Sequence, residues 1–282
     1  MVAQQDPARL SLTVDRFRDG AWTRDPDPIA VEAPLELRIS SGSGARPITI
    51  TMRTPGNDFE LAAGFLYSEG IVAGPDDIVD VRHSDDVMIS EDDRQNTVVV
   101  TLRAGLVFDL KRMDRNFTQT SACGVCGKES LNALGLGGCR PLAMGTTITA
   151  DVLRSLPSAL RSGQAGFDAT GGVHAVGLFD TSGQIISLRE DVGRHNAFDK
   201  MVGQRLLARK MAKLQQSVAV LSGRASYELL QKALIARIPI VAAIGAPSSL
   251  AVEIASTFNI TLVGFLKAGS FNVYAGRERI CD

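Results

Sequence analysis

From residue 174 onward, short apolar runs take turns with amphipathic segments of helical length, and this alternation constrains the fold more than any other feature. HAVGLFD and QIISLRED read as strands joined by the hairpin signal TSG. GRHNAFDKMVGQRLLARKMA then reads as a helix, SVAVLS as a buried strand, and ASYELLQKALIAR as a helix with Tyr227, Leu230 and Leu234 on one face. IPIVAAIG follows as a strand, SSLAVEIASTF as a helix with a serine cap, and ITLVGFL as the last strand. Strands alternating with helices of this length predict a layered α/β sheet.

The first part of the chain follows another pattern. LELRIS, RPITITM and NTVVVTLRA are alternating or β-branched runs broken by Gly, Pro and Asp, and they predict a β-rich unit. One helix interrupts it at NDFELAAGFLYSEG, with Asn57 or Asp58 as cap, Leu61, Phe65 and Leu66 as its apolar stripe and Gly70 as its end. Two domains are expected, residues 1–112 and 113–282, with the boundary near LKRMDRNFTQTSA.

The 282 residues are 45% hydrophobic and 22% charged, with a formal net charge of −1. That balance argues against a protein built to coat nucleic acid or an anionic membrane. No stretch approaches the ~20 apolar residues of a membrane span, and the charged N-terminus lacks the apolar core of a signal peptide. A cytoplasmic protein is expected, and its four cysteines are too few for a disulfide scaffold.

Two of those cysteines, Cys123 and Cys126, lie in TSACGVCGKES. C-x-x-C spacing serves zinc sites, dithiol redox centres and sulfur carriers. Zinc needs four ligands, whereas Cys139, Cys281 and the three histidines (His83, His174, His195) are scattered. A zinc deaminase site needs H-x-E before P-C-x-x-C, but His174 precedes Ala175 and Val176, and the cysteine pair comes earlier. A thioredoxin-like pair follows a strand, whereas MDRNFTQTSA is polar. A helix starting near Lys128 would aim its positive end at the cysteines and lower a thiol pKa, as a nucleophilic sulfur carrier requires. Glycines on both sides would allow close approach of a partner.

Other clusters sit at predicted strand ends. DATGGVHAVGLFD sets Thr170, Gly171 and Gly172 just before a strand that carries His174 at its start, and REDVGRHNAFDK gathers Arg194 and His195 where a strand gives way to a helix, the edge at which α/β sheets bind ligands. Asp191 is equally readable as a cap, with the rest a solvated ion-pair face. SGRAS, with Ser222 and Arg224, and GAPSS resemble anion cradles at helix starts without being Walker or dinucleotide loops. In GFLKAGSFNVY, Lys267 and Gly269 lie between Phe265 and Phe271, a pattern open to base stacking or to a plain amphipathic strand.

In order, TSACGVCGK, TGGVHAVGLFD, REDVGRHNAFDK, LSGRASYELLQKA, GAPSSLAVEIA and TLVGFLKAGSFNVY resemble the FdhD family of formate dehydrogenase accessory sulfurtransferases, over roughly residues 30–275. The resemblance implies a three-layer α/β/α domain similar to the cytidine deaminase fold, without its zinc, beside a smaller β-rich domain. It implies a cytoplasmic homodimer that takes sulfur from a cysteine desulfurase as a persulfide. The sulfur would pass to the molybdenum bis(molybdopterin guanine dinucleotide) cofactor of formate dehydrogenase, a bound substrate, with no metal held by protein ligands. Carried across by position, Cys123 would bear the persulfide, Cys126 would be the accessory cysteine, and Phe265, Leu266, Lys267, Ala268, Gly269 and Ser270 would bind the cofactor. Gly172, His174, Arg194, His195 and Ser222 join that pocket. Lys267 stands where the family often has arginine, which removes a bidentate phosphate contact. A chaperone that holds the finished cofactor for formate dehydrogenase, without essential persulfide chemistry, is the alternative.

Overall fold

A computed structural model describes residues 6–41, 44–107, 136 and 138–282. The chain opens with a ribbon, β1 (Arg9–Arg18) and β2 (Ala21–Ala30), turned by Asp19 and Gly20 at φ 50° and 82°. Both turn residues are left-handed, as the Asp-Gly pair of a two-residue hairpin requires. The sequence reading had no strand here, because most side chains on both faces are exposed and no apolar alternation marks them.

The next strands are β3 (Ala33–Ser40), β4 (Ala45–Arg53), β5 (Ile78–His83) and β6 (Thr97–Leu102), in the order β4-β3-β6-β5. Helix α1 (Asp58–Ser68) interrupts them, and a short α2 (Glu91–Gln95) precedes β6. As predicted, Leu61 and Leu66 are buried and Phe65 packs at the rim of that core. The capping differs from expectation. Asn57 takes φ 58° and makes no side-chain cap bond, while the Asp58 carboxylate is engaged by the buried Arg53 at 2.9 and 3.0 Å.

After β7 (Ile148–Thr149) come α3 (Ala150–Ser162) and α4 (Ala165–Thr170). The main sheet then forms from β8 (His174–Asp180), β9 (Ile185–Asp191), β10 (Ser217–Leu221), β11 (Ile240–Ala243), β12 (Thr261–Gly264) and β13 (Asn272–Ala275). Between them run α5 (Arg194–Leu207), α6 (Tyr227–Ile235) and α7 (Ser249–Thr257). The sheet order is β13-β12-β11-β10-β8-β9, with β10, β11 and β12 parallel. ITLVGFL is therefore not the last strand: β13 returns antiparallel to β12, and a final β14 (Ile280–Cys281) pairs with β7. The polar turn Lys267–Ser270 hides that return in the sequence.

Strand pleating explains why the central strands are apolar throughout. Ala219, Leu221, Val241, Ala243 and Leu262 face a core with Phe198, Met201, Leu230 and Ile254 from α5, α6 and α7. Val218, Val220, Ile240, Ala242 and Val263 face the opposite core with Leu153, Leu156 and Leu160 from α3. The domain is a three-layer α/β/α sandwich, as expected. The expected 112/113 boundary falls outside the described residues.

The four-stranded unit meets this sandwich through α1 and α5. A Cβ on Gly64 would lie 1.9 Å from the Asp199 carbonyl oxygen, and one on Gly203 would lie 1.8 Å from the Glu60 carbonyl oxygen. The two helices touch backbone to backbone, so neither obstacle is a side chain that can swing away. Gly64→Ala or Gly203→Ala is expected to cost about 3 kcal/mol or more of stability, the upper range for overpacking. Gly74→Ala, with open space around the new methyl, should change it by less than about 0.5 kcal/mol. Urea denaturation of the three variants checks this, and near-neutral behaviour of Gly64→Ala would refute the close crossing.

Candidate functional site at the strand ends

The mixed segment REDVGRHNAFDK divides into framework and surface. Asp191 is fully buried and bonded to Lys200 Nζ at 2.6 Å, while it accepts the backbone N–H groups of Gly193 at 2.8 Å and Thr54 at 3.2 Å. Lys200 Nζ also donates to the Thr54 carbonyl at 2.8 Å, and Asn196 Nδ2 donates to the Met52 carbonyl at 2.7 Å. Asp199 accepts Lys232 Nζ at 2.8 Å and Ser68 Oγ at 2.7 Å. Glu190 caps α4 by accepting the N–H groups of Gly166 and Phe167 at 2.7 and 2.9 Å. The solvated ion-pair face that the sequence left open as an alternative is thus an interior lattice. Arg194 and His195, partly exposed at the start of α5, are what it leaves for the surface.

They open onto one edge of the main sheet. The C-terminal ends of β9 through β12, taken with the antiparallel start of β8, all lie there, and α5, α6 and α7 begin there. His174 pairs with Asp191 across β8 and β9. Ser222 extends the β8–β10 pairing: its N–H donates to the Ala175 carbonyl at 3.0 Å and its Oγ accepts the Ala175 N–H at 2.9 Å. The next loops are laced together. Gly245 N–H donates to the Gly223 carbonyl at 2.9 Å, and Phe265 N–H donates to the Gly245 carbonyl at 3.0 Å. A Cβ on Gly245 would press on the Gly223 oxygen at 3.1 Å, and one on Gly264 would meet Pro247 at 2.8 Å.

Most of the residues expected in a pocket therefore share this edge. His174, Arg194, His195 and Ser222 gather at β8, α5 and β10. Phe265, Lys267, Ala268, Gly269 and Ser270 are exposed on the β12–β13 turn, where Lys267 N–H donates to the Ser270 carbonyl at 2.9 Å. Phe265 holds φ 51°, a conformation rare for a bulky side chain and kept here by the lacing. Leu266 differs, being fully buried in the core beneath the turn. Gly172 is exposed beside Ala30 of β2. Cys123 and Cys126 lie outside the described residues.

The sequence reading missed Glu228 and Tyr227, at the start of α6. Glu228 Oε2 lies 2.5 Å from His195 Nε2. Its carboxyl is held below the usual range, first by the His195 hydrogen bond, with Tyr227 and Arg194 adding to it. An acidic residue in the first turn of the helix after SGRAS was the available signal. Burial pushes the His174 imidazole down first, and its neighbours Arg194 and His195 add to the effect. The Arg194 Nε is buried and has no hydrogen-bond partner among the described residues. Three helix starts and the cations Arg194, Arg224 and Lys267 make this an anion-receptive edge, with Phe265 as an exposed ring.

Nearly the whole chain connects to known proteins. The FdhD/NarQ family profile matches residues 30–281. The chain belongs to the FdhD/NarQ family. The sulfur carrier protein FdhD of Streptomyces coelicolor is 46% identical over 269 residues, covering 95% of this chain and 94% of that one. The protein of the same name from Mycobacterium tuberculosis is 44% identical, with 90% and 92% covered, and that of Sulfolobus acidocaldarius 40%, with 95% and 97%. A crystal structure from Desulfotalea psychrophila, assigned as a formate dehydrogenase accessory protein, shares the fold at a TM-score of 0.75 and 24% identity, covering 98% of this chain and all of its own. The family match begins at residue 30, just at the end of the β1–β2 ribbon. Among the described residues no helix is long and apolar enough to cross a membrane.

In this FdhD/NarQ chain His174 should titrate below the ordinary imidazole value of about 6.5. The folded state then binds fewer protons than the unfolded state, so stability falls as pH drops from about 6.5 through the His174 midpoint. Arg194→Gln removes one repelling charge and should raise that midpoint, read from the His174 ring resonances by NMR. An unmoved midpoint would remove Arg194 from the His174 environment.

Proposed function

We propose that this chain is a sulfurtransferase that carries sulfur on Cys123 and delivers it to the molybdenum bis(molybdopterin guanine dinucleotide) cofactor destined for formate dehydrogenase. What carries the reading is the near full-length match to proteins named sulfur carrier protein FdhD. The strand-end edge supports it, since a dinucleotide substrate brings phosphates and a flat base to a surface with cations, helix starts and Phe265.

The Cys123 thiolate attacks the outer sulfur of a cysteine desulfurase persulfide. The donor S–S bond breaks, the donor thiolate leaves, and a new S–S bond holds the sulfur on Cys123. Cys126 thiolate then attacks Cys123 Sγ, forming a Cys123–Cys126 disulfide and releasing sulfide to the cofactor, and a dithiol reductant resets the pair. Arg194, Arg224 and Lys267 hold phosphate oxygens, with lysine acting as a point charge. The working form is a cytoplasmic homodimer that meets the desulfurase and formate dehydrogenase in turn.

Incubation with a cysteine desulfurase and cysteine, without reductant, should add one sulfur atom to the Cys123 peptide, lost on adding dithiothreitol. Cys123→Ala should abolish activation of formate dehydrogenase. Activation preserved in that variant would overturn transfer in favour of a cofactor-holding chaperone. GDP, as a probe for the guanine dinucleotide end, should bind roughly tenfold more weakly to Lys267→Ala, a loss of about 1.4 kcal/mol. Equal affinity would take the β12–β13 turn out of the site.

A further inference from the structure

His195 makes two contacts through one ring nitrogen. Its Nε2 lies 2.5 Å from Glu228 Oε2 and 3.4 Å from Ser226 Oγ. A carboxylate only accepts hydrogen bonds. It is kept ionised here by His195, by Tyr227, by Arg194 and by its place in the first turn of α6. Glu228 therefore requires a hydrogen on Nε2, and in a neutral imidazole that leaves Nδ1 as the lone-pair nitrogen.

We propose that Glu228 is the positioning residue of this site: it fixes the His195 tautomer so that Nδ1 serves as a hydrogen-bond acceptor at the strand-end edge. The inference rests on the cofactor reading above and deepens it. Arg194, Arg224 and Lys267 offer only donors, so they suit phosphate oxygens and are blind to the rest of a ligand. An imidazole lone pair on the residue that follows Arg194 favours a ligand that presents an N–H or O–H donor next to its phosphates, and it disfavours a bare polyphosphate. His195 and Glu228 also line a cleft of about 350 Å³ with Thr49, Thr51, Gln231 and Lys232, so the pair borders enough space for a planar polar group. Their side chains are 33% and 42% exposed, and replacing Glu228 therefore leaves the core intact.

The test separates tautomer from affinity. In ¹⁵N-histidine-labelled full-length protein without ligand, the neutral form of the His195 ring should show an unprotonated Nδ1 and a protonated Nε2. Glu228→Ala should scramble that pattern, and Glu228→Gln, whose amide oxygen still accepts from Nε2, should restore it. With GDP as the probe, Glu228→Ala should bind about tenfold more weakly and Glu228→Gln within about threefold of wild type, while inorganic pyrophosphate, which lacks such a donor, should bind both variants equally. A protonated Nδ1 in the neutral ring of the wild-type protein, or an unchanged spectrum and GDP affinity in Glu228→Ala, would overturn the assignment. Wild-type protein that fails to bind GDP would overturn the underlying cofactor reading instead, and the ligand-free spectrum would still decide the tautomer.

Discussion

The backbone contact between α1 and α5 is the constraint on which the rest of the structure depends. Glu60 and Gly64 on one helix face Asp199 and Gly203 on the other, each glycine lying under the other helix's carbonyl. Spacing of four residues places each pair on one helix face. Contact this close also brings polar groups of both units within hydrogen-bond range. Arg189 reaches Glu60 at 2.5 and 2.7 Å, and Ser68 reaches Asp199 at 2.7 Å. Larger residues at the two glycines would separate these partners along with the helices.

The buried charges around that crossing contribute register more than net stability. Taking an ion pair out of water costs about as much as the pairing returns, whereas removing one partner is expensive. Lys200 is satisfied only if Asp191 and the Thr54 carbonyl are both present, and these lie on β9 and on the loop after β4. Asn196 likewise requires the Met52 carbonyl. The start of α5 therefore has one permitted position against the β-rich unit. Arg194 and His195 inherit it, and the presentation of two site residues is set by contacts on the far side of their own helix.

The architecture was legible because its signal is periodic. Val218 to Leu221 must be covered on both faces whatever lies around them, and so must Ile240 to Ala243. The ribbon was not legible, since Leu10, Leu12, Phe17 and Trp22 are exposed and follow no burial pattern. The Asp19-Gly20 turn was its only local mark. The site was legible as a set of motifs but not as a division of labour. Nothing in REDVGRHNAFDK says that Asp191, Asn196, Asp199 and Lys200 point inward while Arg194 and His195 remain accessible, because, apart from bonds within the segment itself, their partners lie more than thirty residues away in the chain, at Met52, Thr54, Ser68 and Lys232. Leu266 was assigned with its neighbours although its side chain belongs to the core. Glu228 escaped because a single acidic residue in a first helical turn is common.

The lacing of the strand-end loops also accounts for the missing phosphate-loop motif. A Walker or dinucleotide loop binds phosphate through free main-chain N–H groups, and its glycines keep them free. Here the glycines allow loops to approach one another, and the N–H groups of Gly245 and Phe265 are consumed by the carbonyls of Gly223 and Gly245. These amides cannot also serve an anion. In the proposed reading, charge recognition at this edge falls to long side chains and to helix starts, and base or donor recognition falls to Phe265 and His195. Such a surface is built from residues far apart in sequence, held by a rigid backbone beneath them. It leaves no compact motif, and on the proposed reading its selectivity would depend on how each side chain is oriented by neighbours such as Glu228.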